Sequence, residues 1–345
     1  MPSSPILQRQ PLDFPWPTLD PFLFCAHHDD HYPRANGRLG PAASLAGRRM
    51  GQDFSRQDGW SMYHGEEVPG FPAHPHRGFE TVTLVRRGLI DHSDSLGAAA
   101  RFGEGDVQWL TAGRGITHAE MFPLLHEDRD NPVELFQIWL NLPAERKMAE
   151  PHFTMFWAPD VPTLVLTDDA NHEVRLGLVA GAVPGHPAPP SPPPDSWASR
   201  ADADVAIWTL RLEPGACWTL PAATGAGTQR MLYFFAGTNL SVAGEPIGGH
   251  AALTLDAHQP VTLQNGHDGP AELLLLQGRP IGEPVVQYGP FVMNREAEIR
   301  QALDDYRHGG FGTWEWPRPD PVHGADSARF ARYPDGRTER PTPDL

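Results

Sequence analysis

Short apolar segments separated by turn residues recur along the chain. In Phe79–Arg86, apolar and polar residues alternate and Val and Thr are frequent, which is typical of a half-buried β-strand. Further strand-sized segments are predicted at Leu89–His92, Val107–Leu110, Glu134–Leu142, Val161–Leu166, Val174–Val179, Val205–Leu212, Met231–Ala236, Ala251–Leu255, Val261–Leu263 and Glu272–Gln277. Many of them are spaced about 8–12 residues apart, as strands are in a β-sandwich or barrel. The sequence therefore predicts an all-β fold.

One segment near the end of the chain has helical periodicity. Ile299, Leu303 and Tyr306 recur at the spacing of one helix face, and Gly309 follows them as a stop signal. We therefore expect a short C-terminal helix within Arg295–Tyr306.

A Pro-rich stretch divides the chain. Residues 183–197 contain the run PGHPAPPSPPP, which is typical of a linker or a long surface loop. Because both halves are β-rich and similar in length, we expect two β-barrels in tandem, at residues 1–165 and 166–295, with the Pro-rich insertion in the second. The helix and a Pro- and Arg-rich tail then occupy residues 296–345. We expect this tail to be either loosely ordered or packed as an arm on another surface.

Composition and charge exclude several classes of protein. Of the 345 residues, 40% are hydrophobic and 20% are charged, which excludes a disordered chain. No apolar run approaches the ~18 residues of a membrane span. The 27 Lys and Arg against 43 Asp and Glu give a net charge of −16, which argues against direct nucleic-acid binding. We see no signal peptide, and Cys25 and Cys217 form no disulfide framework, so a cytoplasmic protein is expected.

Two pairs of residues have the spacing of metal ligands. His74 and His76 flank one proline, and His118 lies two residues before Glu120. Because residues i and i+2 of a strand share a face, each pair can direct both side chains to one point. If neighbouring strands bring the pairs together, three imidazoles and one carboxylate converge, a set that suits Fe, Mn, Ni, Cu or Zn. One or two coordination positions would stay open for O₂ or a chelating substrate, whereas the alternative is that these histidines are structural.

A second polar cluster occurs near the N-terminus, in the run His27-His28-Asp29-Asp30-His31. It offers the donor atoms of a surface metal site. Polar runs of this kind are more often solvated loops, so we expect a loop here.

Two longer segments carry a specific signature. They are residues 74–83, HPHRGFETVT, and residues 105–121, GDVQWLTAGRGITHAEM. Further matching segments are QIWLNLP at 137–143, GPFVMN at 289–294, and the short runs at 282–284 and 311–312. Together they resemble the pirin family of two-domain cupin proteins, most densely from Gly70 to Phe153 and only faintly before residue 60.

The resemblance implies two tandem cupin barrels with a metal ion in the N-terminal barrel alone. Its pattern makes His74, His76, His118 and Glu120 the ligands of that ion. Fe(II) is the expected metal, with Mn, Ni, Cu or Zn as alternatives. A chain of two barrels already pairs them internally, so a monomer is expected.

Other residues receive roles from the same pattern. Many cupins place a carboxylate ligand where Glu80 stands, but pirin-like proteins carry it at the position of Glu120. Glu80 is therefore expected to be structural or to fix a ligand imidazole through its N–H, with direct binding of the metal as the alternative. The candidates for an apolar pocket lining, which could equally be ordinary core, are Trp109, Met121, Phe122 and Phe153.

Pirin-like proteins are associated with quercetinase activity, the O₂-dependent opening of a flavonol ring with loss of CO. The resemblance thus implies a small-molecule substrate together with O₂, and Glu120 as the general base for the flavonol 3-hydroxyl. Another chelating enol or phenol would suit the same site. The family is also associated with transcriptional co-regulation, so the alternative is a non-enzymatic metal- or redox-sensing regulator that acts through a protein partner.

Overall fold

β-Strands dominate residues 4–342, the part of the chain that the computed structural model describes. The strands are β1 (Ile6–Pro11), β2 (Phe22–Tyr32), β3 (Gly70–His76), β4 (Phe79–Arg87), β5 (Leu89–Asp94), β6 (Ala99–Gly103), β7 (Val107–Thr111), β8 (Ile116–Met121), β9 (Asn131–Asn141), β10 (His152–Phe156), β11 (Thr163–Thr167), β12 (Glu173–Ala180), β13 (Ala206–Leu212), β14 (Cys217–Leu220), β15 (Gln229–Ala236), β16 (Asn239–Val242), β17 (Glu245–Gly248), β18 (Ala251–Leu255), β19 (Val261–Asn265), β20 (Ala271–Gly278), β21 (Val286–Tyr288), β22 (Phe291–Met293), β23 (Phe330–Arg332) and β24 (Thr338–Glu339). The helices are α1 (Glu296–Arg307) and the short 3₁₀ segments Gln57–Gly59, Ala144–Arg146, Ala158–Asp160, Trp197–Ser199 and Ala201–Ala203. None of these helices is long and apolar enough to cross a membrane.

The described chain divides into two compact units that are interleaved in sequence. The first unit contains the chain up to Ala26, then Trp139–Asn141 and Asp160–Gly282. The second contains His27–Ile138, Leu142–Pro159 and the chain from Glu283 onwards. The domain boundaries placed at residues 165 and 295 from the sequence stay a prediction.

The first unit has a barrel built from two antiparallel sheets. Their strand orders are β1-β18-β15-β20-β13-β12-β11 and β14-β19-β16-β17. In β20, Ala271, Leu273 and Leu275 belong to one buried core cluster. Their period-two spacing is that of one strand face, and Leu274 and Leu276 between and after them are buried as well, so the sequence shows this strand as a continuous apolar run.

The second unit has the same two-sheet construction. Its five-stranded sheet has the order β10-β7-β4-β9-β2, and its six-stranded sheet the order β24-β23-β6-β5-β8-β3. Ile90, Phe102, Leu110 and Leu135 are among the buried residues of its core. The predicted all-β class, with two barrels and a short C-terminal helix, is confirmed.

The polar run at residues 27–31 lies within β2, so the expected solvated loop is wrong. His28 and Asp30 are buried, and the Tyr63 hydroxyl donates to Asp30 Oδ2 at 2.7 Å. His28 Nδ1 lies 2.8 Å from the same hydroxyl. The strand was missed because its buried positions are polar, and their mutual hydrogen bonds offset the cost of burial.

α1 begins one residue later than predicted and ends at Arg307. The backbone N–H of Arg295 donates to the Glu298 carboxylate at 3.0 Å, which satisfies one end of the helix. Ile299 and Ala302 bury their side chains in a small cluster with Phe291.

The tail forms an arm on the second unit. Its strand β23 pairs with β6, and His323 N–H donates to Asp91 Oδ2 at 2.8 Å. Arg101 forms a two-bonded ion pair with Asp91, at 2.6 and 2.7 Å, and also donates to Gly324 O at 2.8 Å. Both side chains of the pair are buried. The arm thus supplies hydrogen bonds that a buried ion pair needs.

Glu134 of β9 is the centre of a second charge network. Its carboxylate lies 3.0 Å from His27 Nε2, accepts from Arg87 Nε at 2.9 Å and also binds Arg86. Burial alone would raise the pKa of this carboxyl, but the His27 hydrogen bond and the two arginine charges lower it to about 2. The folded state therefore holds the Glu134 proton more weakly than the unfolded chain does.

Glu134→Gln should lower the free energy of unfolding by about 1–2 kcal/mol at pH 7. A carboxyl with a depressed pKa stabilises the fold above its ordinary pKa near 4.5, and this contribution is lost as the pH falls towards 2. Urea unfolding at several pH values measures this. The difference in unfolding free energy between Glu134→Gln and the wild type should shrink as the pH falls over that range. The exposed control Glu66→Gln should show no such difference. A deficit that is constant across pH would contradict the charge network.

Candidate metal centre

The three predicted histidines meet on the inner face of the second unit's barrel. β3 and β8 are antiparallel neighbours, and His74 stands directly opposite His118. His76 follows two residues along β3, on the same face. The ring centroids lie 4.5 Å apart for His74 and His118 and 4.8 Å apart for the other two pairs. One nitrogen from each ring lies within 4.8 Å of the others, which is the convergence that metal binding needs.

Two glycines let the chain pass closely beside these strands. Gly78, in the β3–β4 turn, has φ +85°, and a Cβ there would lie 2.0 Å from Val292 O. Gly115, just before β8, has φ +138°, and a Cβ would lie 2.7 Å from the Phe311 ring. Side chains at either position would push the ligand strands out of place.

Arg77 anchors the end of β3. Its side chain is almost fully buried, donates to Arg114 O and binds Asp305 Oδ2 of α1 at 2.7 Å. The guanidinium also lies 4.6 Å from the centre of the Phe311 ring. Arg77 is thus a structural residue beside the site. The Arg114 side chain forms a solvent-exposed ion pair with Glu150.

Burial keeps the three imidazoles neutral at ordinary pH. It lowers the pKa of His74 to about 4 and holds those of His76 and His118 well below 6.5, with neighbouring histidines adding to the effect. A neutral imidazole keeps a nitrogen lone pair, the form that binds a metal ion.

The hydrogen bonding of the histidines fits a bound metal. His74 Nδ1–H donates to Pro72 O at 2.9 Å, which leaves Nε2 as its lone-pair nitrogen. His118 is fully buried, yet neither of its ring nitrogens has a hydrogen-bond partner among the described residues. Buried polar atoms are normally bonded, so this ring needs a ligand. Three imidazole nitrogens suit a borderline divalent ion.

Glu120 lies beside the three histidines. Its Oε2 is 3.9 Å from His118 Nε2 and accepts from Gln137 Nε2 at 2.9 Å, while Oε1 accepts from Thr83 Oγ1 at 3.0 Å. Burial raises the pKa of this carboxyl, partly opposed by these hydrogen bonds. The fixed, buried carboxylate is placed to act as a ligand or as a base.

Four polar residues of the site were missed in the sequence. Gln137 and Thr83 hold Glu120, and His92 and Asp94 of β5 stand opposite Glu120 and His118. The signals were present: Gln137 interrupts an apolar strand, and His92 and Asp94 have the same i, i+2 spacing as the metal-ligand pairs.

Three expected neighbours of the site face away from it. Thr83 contacts Glu120, so strand alternation puts Glu80, three residues earlier, on the opposite face, where it accepts from Thr111 at 2.7 Å. Trp109, two residues before Thr111, shares that face and packs near Phe156. Met121 follows Glu120 directly and therefore also points away. The structure does not bring these three side chains to the histidines.

The other two expected pocket residues lie closer. Phe153 stacks on His92, with centroids 5.3 Å apart, and His92 in turn lies 5.4 Å from His118. Phe122 packs at 6.0 Å against Phe71, whose ring is 6.3 Å from His74. A pocket-lining role for Phe122 and Phe153 stays a prediction.

The fold and the histidine cluster define a two-barrel cupin with a candidate metal centre in one barrel. Family models for pirin and for the pirin C-terminal cupin domain match residues 13–140 and 207–312. The chain belongs to the pirin family.

Individual relatives agree with this assignment. A Pseudomonas aeruginosa protein named provisionally as a quercetin 2,3-dioxygenase is 35% identical over 243 residues, 70% of this chain and 79% of that protein. Pirin-1 of Arabidopsis thaliana is 36% identical over 70% of this chain and 78% of its own length. A crystal structure of quercetin 2,3-dioxygenase from Acinetobacter baumannii is 27% identical, with a TM-score of 0.65, and covers 86% of this chain and 87% of that one.

The purified chain should bind one divalent ion, and His118→Ala should weaken binding by more than about 100-fold. Loss of a partner that only orients a ligand costs 10–100-fold, so loss of a ligand should cost more. Metal content after dialysis and calorimetric titration measure the effect. His258→Ala, an exposed histidine of the first unit, is the matched control and should bind as the wild type does. Equal metal content in both variants would contradict the assignment.

Proposed function

We propose that the chain is a metal-dependent dioxygenase of the quercetinase type. It uses O₂ to open the ring of a flavonol or a similar chelating enol or phenol, with both oxygen atoms entering the product and CO leaving. His74, His76, His118 and Glu120 hold the metal ion, proposed to be Fe(II).

One observation carries the proposal. A fully buried imidazole, His118, has no hydrogen-bond partner among the described residues and faces two further imidazoles and a carboxylate. Three nitrogens do not complete the coordination of iron, so room remains for a chelating substrate. The quercetin 2,3-dioxygenase names of the Pseudomonas and Acinetobacter relatives support the same reaction.

The chain's own residues have defined tasks in this reaction. Fe(II), when bound, supplies Lewis acidity and electron transfer to O₂. Glu120 accepts the proton of the flavonol 3-hydroxyl, and Thr83 and Gln137 hold its carboxylate in one orientation. Burial raises the pKa of Glu120, which makes the carboxylate a stronger base than an exposed one. The buried surroundings exclude water from reactive species.

Oxygen uptake tests the proposal directly. The chain is purified without oxygen, loaded with Fe(II) and mixed with quercetin beside a His118→Ala control. We expect uptake that depends on the metal and releases CO, and none in the control. Absence of uptake from a fully iron-loaded sample with quercetin would contradict the quercetinase proposal and favour the regulatory alternative.

Glu120→Gln separates the base from the ligand. The amide keeps the size of the side chain and an oxygen, so most of the metal should remain bound, but turnover should fall at least about 100-fold. Glu80→Gln is the matched control, since Glu80 is a buried glutamate on the other face of β4, and it should retain turnover. Metal content and initial rates are measured on the same samples. Full turnover by Glu120→Gln would show that Glu120 is not the base.

A further inference from the structure

His92 is a fourth buried histidine beside the metal centre. On β5 it stands opposite Glu120, and its ring lies 5.4 Å from that of His118. The Phe153 ring stacks on it at 5.3 Å with an interplanar angle of 22°. The side chain is fully buried, so its position is fixed by packing on both sides.

Asp94 determines which nitrogen of His92 carries the proton. Its Oδ2 lies 3.1 Å from His92 Nε2, while Oδ1 accepts from the backbone N–H groups of Leu96 and Ala98 at 2.9 Å each. The carboxylate, thus held in the turn after β5, can only accept, so Nε2 carries the hydrogen. In the neutral ring, Nδ1 is then an acceptor.

This acceptor has no partner among the described residues. His92 Nδ1 is therefore a buried acceptor beside Glu120 that is available to a bound molecule.

The five-stranded sheet contributes further polar groups to the same interior. Gln108 stands opposite Thr83 in the ladder, and Thr81 lies two residues before Thr83, so both share the face that contacts Glu120. The Gln108 amide and the Thr81 hydroxyl are buried and also lack partners within residues 4–342. Buried polar atoms without partners, on His92, Gln108 and Thr81, fit a hydroxylated ligand better than an apolar one.

We propose that His92 Nδ1 accepts a hydrogen bond from a phenolic hydroxyl of the substrate, with Asp94 as the positioning residue that keeps this nitrogen an acceptor. The inference rests on the proposed function and adds a specificity determinant to it. A site built to bind a hydroxyl rejects an analogue that lacks the group, because its own buried atom is left unpaired. The enzyme therefore selects polyhydroxylated flavonols over those that carry the chelating hydroxyl alone.

Two variants test the inference in different ways. His92→Phe keeps a ring against Phe153 and removes the acceptor. Asp94→Asn keeps the oxygen that caps the turn but offers an N–H to His92 Nε2, which moves the ring proton to Nδ1 and turns the acceptor into a donor. Long-range ¹H–¹⁵N correlation spectra of the metal-free protein report this tautomer independently of catalysis.

Binding is then compared for quercetin and 3-hydroxyflavone, which has no hydroxyl besides the chelating one. Dissociation constants are measured without oxygen on Fe(II)-loaded protein, with the metal content checked in each sample. Both variants should bind quercetin about 5–10-fold more weakly, the loss of one neutral hydrogen bond. Both should bind 3-hydroxyflavone as the wild type does.

The outcomes separate the two proposals. Equal weakening for both ligands, or none for either, would refute the role of His92 and leave the dioxygenase proposal intact. An unchanged tautomer in Asp94→Asn would refute the role of Asp94. If the wild type bound neither flavonol, the proposed function itself would fail.

Discussion

The register between β3 and β8 is the constraint on which the site depends. Side chains of a strand alternate between its two faces, so His74 opposite His118 fixes which residues point inwards along both strands. A slip of β3 by one residue would turn both His74 and His76 to the outside. Gly78, Gly115 and the Arg77 anchor act at the ends of these strands, and they hold this register rather than taking part in the chemistry.

The interior of this barrel combines apolar packing with polar groups that do not fully satisfy one another. Neutral imidazoles are compatible with burial, since they carry no charge to desolvate. Glu120 is held by two donors, and Asp94 by backbone N–H groups. Hydrogen-bonded carboxylates beside unbonded imidazole nitrogens give the site fixed geometry while leaving its ligand atoms available. A site that binds both a metal ion and a hydroxylated molecule requires both properties, a fixed geometry and unbonded ligand atoms.

The sequence predicted the parts of the structure that follow from local periodicity. Apolar and polar residues alternate in β4, β20 is a short apolar run, α1 has helical spacing, and the His74 and His118 pairs have a spacing that reaches one face. The features that could not be predicted from the sequence depend on contacts with residues that are distant in the chain. The polar strand β2 is stabilised by Tyr63, and His92 matters only because β5 lies next to β8. The faces of Glu80 and Trp109 were not readable from the sequence either, because proximity to a ligand along the chain does not give the direction of a side chain.

The interleaving of the two units has a consequence for biosynthesis. The strands that carry the histidines emerge early from the ribosome, but β23 and the arm over Asp91 and Arg101 follow only after all of the first unit has been made. The six-stranded sheet is therefore open at one edge until β23 has been made, and its closure requires contacts between residues very far apart in sequence. Completion of this barrel is thus a late step of folding, and until it occurs the exposed edge and the uncovered ion pair are the parts most open to misassociation.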